Sequence, residues 1–391
     1  MTEKNIMTKK LYDLDAYATE FDATVISCEK AEENGAAVYY VVLDQTLFFP
    51  EEGGQSPDKG TLGECNVMDV QIKGDVITHT LDAPLKPGAA VHGILNWSHR
   101  FYNMQQHSGE HIFSGIVHKK FGYDNVGFHL SDAIVTMDFN GILTEQDAAE
   151  VEYEVNEVIV KNLPVQVTFP SREELAVLDY RSKIEIEGQV RIVTIPGVDV
   201  CACCAPHVRQ TGEIGMLKVM SVQNHRGGVR ISMLCGFRAL EAFRQKDQIV
   251  TAVANTFSTS PQKVPELVEK LQLSNQELKN QLAAAKQKLM AVKLAEIPAE
   301  QADVILFETE LDTPVMRNVV NDLVAAHNGI CGVFVGTEEE GYQFIIGSST
   351  KDCREIAAIL REKVAARGGG SAQMIQGSVK ASEKVIREAL Q

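Results

Sequence analysis

Two short pairs of residues, far apart in the chain, constrain the fold more than any other feature. His107 and His111 stand four apart in QQHSGEHIFSGIV, and Cys203 and His207 stand four apart in CACCAPHVRQTGEIG. Residues at i and i+4 of a helix share one face, so the two imidazoles of the first stretch can converge on a single ion. A thiolate and a third imidazole from the second stretch complete a nitrogen and sulfur set that suits zinc. A fold that serves this chemistry must bring the two stretches together. Cys201 and Cys204 flank Cys203, and from an irregular loop any of the three can reach a metal.

A chain of 391 residues that is 45% hydrophobic has material for two or three domains with real cores. No apolar run is long enough to predict a membrane span, and the first twenty or so residues lack the apolar core and cleavage signal of a secretory leader. The eight cysteines are scattered rather than framed for disulfides, which predicts a reducing, cytoplasmic setting. A formal net charge of −16 weighs against a generic nucleic-acid binder, because phosphate contacts need local positive charge. From Lys351 onward, however, eight Lys and Arg stand against five Asp and Glu, so the tail is basic within an acidic protein.

The pattern predicts an α+β chain in four parts. Residues 1–97 read as a β-rich, barrel-like part: ATVISCEK, AAVYYVVLD, NVMDVQIKGDVITHTL and AAVHGILNW are short β-branched or alternating runs broken by turn residues. Residues 98–238 begin with a helix to about Phe121 that carries His107 and His111. A second helix follows, whose start is capped near Thr144, and then strands return. Residues 239–298 read as a helical, coiled-coil-like arm. Leu267, Leu271, Asn275, Leu278, Leu282, Ala285, Leu289 and Val292 form a heptad-like stripe, between Pro261 and Pro265 before it and Pro298 after it. Residues 299–391 read as a small α/β domain with a loop at Gly368-Gly369-Gly370.

The first pair also has a rival meaning. His107-Ser108-Gly109-Glu110-His111 satisfies H-x-x-E-H, the inverted zinc-protease motif, in which Glu110 would be the general base. Gly109 is mildly unfavourable inside such a helix, by up to about 1 kcal/mol relative to Ala.

Three ordered segments carry a resemblance. LDQTLFFPEEGGQSPDKGTL, NWSHRFYNMQQHSGEHIFS and CCAPHVRQTGEIG are similar to the glycine-rich, HxxxH and Cys-x-x-x-His segments of the editing domain of alanyl-tRNA synthetase and its free-standing AlaX relatives. The stretch from SPQKVPELVEKLQ through the arm to the triple glycine resembles the carboxy-terminal region of that synthetase, which ends in a DHH-associated nucleic-acid-binding domain. No stretch remains for an ATP-dependent aminoacylation domain, so the chain resembles a long AlaX-type protein.

The resemblance implies one zinc per chain at His107, His111, Cys203 and His207, and an amino-acid pocket walled by the 46–55 loop with Thr46 and Gln55. It implies hydrolysis of mischarged tRNA(Ala), with serine and then glycine as the target amino acid. Gly368, Gly369 and Gly370 are the implied RNA contacts. The heptad-like stripe of the arm, and the last domain, offer a face for a homodimer. A synthetase pocket built for a methyl side chain rejects an added hydroxyl poorly, which is why a second, hydrolytic site is needed. The sequence departs from the family where Gly-Gly-Thr is replaced by Cys204-Ala205-Pro206, and where a second triple glycine is reduced to Gly377. The altered loop at Cys204-Ala205-Pro206 motivates a second reading, a tRNA-binding module of the same fold that has lost hydrolysis.

Overall fold

Alternating apolar residues build the first layer of the computed structural model, which describes residues 7–33, 35–182 and 188–391. In Glu20–Glu33, the side chains of Phe21, Ala23 and Val25 are buried while their neighbours are exposed, and Ala90–Leu95 repeats the pattern with Val91 and Leu95. A period of two puts one face of each strand inward. Six strands close into a barrel in the order Glu20–Glu33, Ala36–Leu43, Val76–Leu81, Cys65–Lys73, Gly60–Leu62 and Ala90–Leu95, every neighbouring pair antiparallel. Its interior is filled by Val41, Leu43, Phe48, Phe49, Leu62, Val70, Ile77 and Leu81.

Asn96 then caps helix α1 (Trp97–Phe121), its side chain accepting from the His99 N–H, and Gly122 ends the helix in the left-handed region at φ 72°. Nearly every residue of α1 from Asn103 to Val117 is buried, so the helix runs through the protein rather than over it. Helix α2 (Glu145–Val160) starts at Thr144 with a capping box closed by Asp147. It buries Ala148, Val151, Val155, Val158 and Ile159, spaced at helical intervals along one face. A four-stranded antiparallel sheet packs with both helices, in the order Leu217–His225, Gly228–Cys235, Val135–Phe139, Asn125–Leu130. A three-stranded sheet of Gln166–Thr168, Ile192–Ile195 and Asp199–Ala202 delivers the chain to the cysteine-rich loop.

The chain divides into two compact units, one up to Ala252 and the other from Val253. The second contains the helix Val264–Ala295, opened by Pro265 in its first turn. Most of the heptad stripe on that helix lies exposed: Leu271, Leu278, Leu282, Leu289 and Val292 each keep more than half of their surface. Beyond it, a five-stranded sheet runs in the order Val304–Glu308, Cys331–Thr337, Gly341–Gly347, Met374–Val379, Arg367–Gly370, parallel in its first pair and antiparallel in the rest. The triple glycine therefore differs from the expected loop. Gly368, Gly369 and Gly370 form an edge strand paired to Met374–Val379. Gly368, at φ 147°, lies so close to that strand that a Cβ would fall 2.2 Å from the Gln376 carbonyl oxygen.

All eight cysteines are free thiols. Among the described residues, no helix is long and apolar enough to cross a membrane.

Candidate metal centre

Helix α1 presents His107 and His111 from adjacent turns, and the chain after Asp199–Ala202 brings Cys203 and His207 against them. Each imidazole is pinned at Nδ1 by a different side chain. His107 Nδ1 donates to Gln55 Oε1 at 2.8 Å, His111 Nδ1 donates to Asp199 Oδ2 at 2.9 Å, and His207 Nδ1 donates to Ser108 Oγ at 3.0 Å. A proton held at Nδ1 leaves the Nε2 lone pair for a metal, the usual arrangement around a ligating histidine. Cys203 Sγ lies 3.4 Å from His107 Nε2 and 3.3 Å from His207 Nε2, and all four donor atoms fall within 4.8 Å of one another. Tetrahedral zinc, with Zn–N of about 2.0 Å and Zn–S of about 2.3 Å, separates its N and S ligands by about 3.5 Å. The observed gaps fit the edges of such a tetrahedron.

Electrostatics agree with the geometry. Burial opposes ionisation of Cys203, but the His107 and His207 imidazoles beside it hold the thiol well below its usual range. Burial likewise opposes a charge on His111, yet Asp199 and Cys203 push it up to about 9, so without a metal this ring carries a second proton, at Nε2, that metal binding must displace. Burial pushes His207 down to about 3. Asp199 stays below the ordinary carboxylate range despite its burial, because His111 and Arg181 both hydrogen-bond to it. Arg181 reaches its two oxygens at 2.8 and 2.9 Å.

The other two cysteines turn elsewhere. Burial pushes the Cys201 thiol up, and its Sγ contacts the Ala202 carbonyl. Cys204 is also pushed up by burial, and its Sγ would lie 3.3 Å from a Cβ at Gly53. His111, Asp199 and Cys201 also lie within metal-binding reach of one another. Asp199 is already committed to Arg181 and to His111 Nδ1, which makes it the support of the main cluster.

The glycine-rich loop forms one wall. Gly54, at φ 82°, lies so close to the Asn125–Leu130 strand that a Cβ there would fall 2.3 Å from the Phe128 carbonyl oxygen. That approach lets Gln55 reach His107. Gln55 is fully buried, and its Nε2 finds no partner among the described residues. Thr46 is placed differently: its hydroxyl accepts from the Phe48 N–H at 3.0 Å and donates to His79 Nε2 at 2.9 Å inside the barrel. His79 Nδ1 donates to the Val41 carbonyl, and burial pushes this imidazole down to about 4, so it stays neutral. Glu110 lies beside the cluster, Oε2 4.0 Å from His111 Nε2, while its Oε1 accepts from Ser114 and Asn125. Gly368, Gly369 and Gly370 belong to the other compact unit.

Sequence reasoning passed over Asp199, Arg181 and Ser108. Asp199 stands in VDVCACC and Ser108 directly follows His107, but nothing in either context marks which ring it would hold.

A barrel joined to an α+β part with a three-histidine, one-cysteine centre defines a class that the family comparisons identify. Residues 190–231 match the threonyl and alanyl tRNA synthetase second additional domain, and residues 4–99 match the class II (A) tRNA synthetases. The alanyl-tRNA editing protein Aarsd1 of Mus musculus is 29% identical over 395 residues, covering 96% of this chain and 95% of that protein. The alanyl-tRNA editing protein AlaX-L of Pyrococcus horikoshii is 31% identical over 275 residues, 68% of this chain and 66% of its own. The alanine–tRNA ligase of Ignicoccus hospitalis is 29% identical over 397 residues, 97% of this chain but only 42% of the ligase. The chain belongs to the family of alanyl-tRNA editing proteins.

Proposed function

We propose that this protein is an aminoacyl-tRNA deacylase that hydrolyses the ester of mischarged tRNA(Ala) in trans, with seryl-tRNA(Ala) as its principal substrate and glycyl-tRNA(Ala) as a second, and without aminoacylating activity of its own. The observation that carries the reading is the convergence of His107, His111, Cys203 and His207 at the spacing of a zinc tetrahedron, walled by the glycine-rich loop. These four residues would hold one zinc ion per chain. When bound, zinc closed by four protein donors would hold the two stretches together and position the substrate beside them, and it would polarise the ester as a Lewis acid only where one donor gives way.

The chain's own groups then have definite tasks. Asp199, Ser108 and Gln55 orient the three imidazoles. The free amide hydrogens of Gln55 are buried donors beside the cluster, placed to hydrogen-bond an acyl group. A pocket that pairs a polar atom with the serine hydroxyl would discriminate against alanine, which leaves that atom unpaired. Thr46 serves that pocket if its bond to His79 gives way to substrate. The edge strand Gly368–Gly370 offers open backbone for RNA contact, and the exposed leucine stripe of Val264–Ala295 offers a face for a second copy. The free thiols fit a cytoplasmic setting.

Four protein donors in one cluster favour this reading over a zinc peptidase, whose metal keeps a position open for water. The test is release of serine from Ser-tRNA(Ala) with Ala-tRNA(Ala) spared, and loss of that release in His107→Ala. Equal hydrolysis by the variant would overturn the assignment of the centre. Zinc and tRNA binding without any deacylation would identify the silent module instead.

A further inference from the structure

A second polar cluster lies at the start of helix α1, apart from the metal centre. Asp132, in the turn between strands Asn125–Leu130 and Val135–Phe139, is half-exposed yet draws donors from three different elements. Lys59 Nζ, beside the barrel strand Gly60–Leu62, lies 2.6 Å from its Oδ2. His99 Nε2, in the first turn of α1, lies 3.0 Å from its Oδ1, and Arg238 Nη2 lies 3.8 Å from the same oxygen. Arg238 is also anchored, through Nη1 to the Ser131 carbonyl at 2.9 Å and through Nη2 to Asn103 Oδ1 at 2.8 Å. His99 and Arg238 are about nine-tenths buried, and both His99 Nδ1 and Asn103 Nδ2 lack partners among the described residues.

The arrangement is excessive for a surface carboxylate. A single exposed ion pair is weakly stabilising, yet here two cations and an imidazole N–H gather around one anion. Two oxygens of one anion, each held by a cationic group or an imidazole N–H, is the pattern by which proteins hold a phosphodiester. An open hollow of about 420 Å³ adjoins through Lys59 and is lined also by Thr61, Asn66 and Asn96, polar groups suited to a sugar or base. His99 precedes His107 on the same helix by eight residues, about 12 Å of rise, which is within reach of a short single-stranded RNA end. The Asp132 turn is itself tied to the glycine-rich loop: Ser56 N donates to Leu130 O at 3.1 Å and Leu130 N donates to Gly54 O at 2.7 Å.

We propose that Lys59, His99 and Arg238 form a backbone phosphate site for the single-stranded end of the RNA substrate, and that the Asp132 carboxylate fills this site in the free protein and is displaced when RNA binds. The proposal deepens the editing reading by placing a substrate phosphate. Its test uses uncharged tRNA(Ala), so that it does not depend on hydrolysis.

Affinity is measured by fluorescence anisotropy over a series of salt concentrations. Lys59→Ala and Arg238→Gln each weaken binding several-fold, and each lowers the slope of log K against log salt by about 0.7, the value for one lost phosphate contact on a single strand. Asp132→Asn has the opposite effect and tightens binding several-fold. Melting temperatures verify folding. Lys59 is exposed enough that its variant carries the test if Arg238→Gln does not fold. Unchanged affinity and slope in the Lys59 variant, or weaker binding by Asp132→Asn, would overturn the site and leave the cluster as a latch for the Asp132 turn. If wild-type protein deacylates nothing while these binding shifts hold, the phosphate site stands and the hydrolytic reading fails.

Discussion

At the scale of single residues, the centre depends on where three protons sit. Asp199 holds the His111 proton at Nδ1 and is itself held by Arg181, so two bonds and a charge pair converge on one buried carboxylate. Asp199→Asn keeps the shape but removes the charge, leaving the Arg181 guanidinium buried without its counter-ion. Zinc affinity should fall by about 10–100-fold, as for other supporting groups around metal-ligating histidines. Competition against a chromogenic chelator measures this, and an unchanged affinity would show that Asp199 is incidental. The two α1 histidines were legible from their spacing, because i and i+4 on a helix dictate a shared face whatever surrounds it. The choice of Cys203 over Cys201 and Cys204 was not legible from the residues alone. It depends on which way each side chain turns in an irregular loop, and only packing decides that. Asp199, Ser108 and Gln55 act through contacts between distant stretches, for which the chain carries no local signal.

Among the elements, α1 shows how glycine serves packing against helix propensity. A Cβ at Gly115 would fall 2.7 Å from the Val198 carbonyl oxygen and 2.9 Å from Asp199 Cβ, and one at Gly109 would fall 2.4 Å from Cys235 Sγ. Gly109 looks unfavourable in sequence because propensity counts only the helix, whereas the sheet strand behind it needs the space. Gly115→Ala should gain up to about 1 kcal/mol in propensity. It should lose more, about 1–3 kcal/mol, by forcing the 198–199 backbone away from α1. Urea titration of wild type and variant reads the balance. A more stable variant would show that the strand relaxes freely. The same displacement pulls Asp199 from His111, so zinc affinity should fall with stability. The heptad stripe reads as a helix, which Val264–Ala295 is, with most of its leucines exposed; periodicity reports a face and not what covers it. The triple glycine suggested a loop because glycine favours turns. It forms an edge strand because its lack of side chains permits close pairing with Met374–Val379.

For the molecule as a whole, the two compact units should respond differently to metal removal, because the donors all lie in the unit that ends at Ala252. Metal at a thousand times its dissociation constant stabilises a fold by about 4 kcal/mol. Calorimetry with and without chelator should therefore show one transition lowered and the transition of the unit from Val253 unmoved. A single transition that shifts as one would contradict their independence. Local periodicity and residue type at fixed spacing set the alternating strands of the β-rich part, the capped start of α2, the pair of motifs and the family they resemble. Folding, and not the chain read alone, set which side chains meet each imidazole, which of the neighbouring thiols lies against His107 and His207, and that Asp132 sits between Lys59, His99 and Arg238 beside α1. Those outcomes depend on contacts between stretches far apart in the chain, where the identity of a residue says what it can bind and only the folded backbone says what it meets.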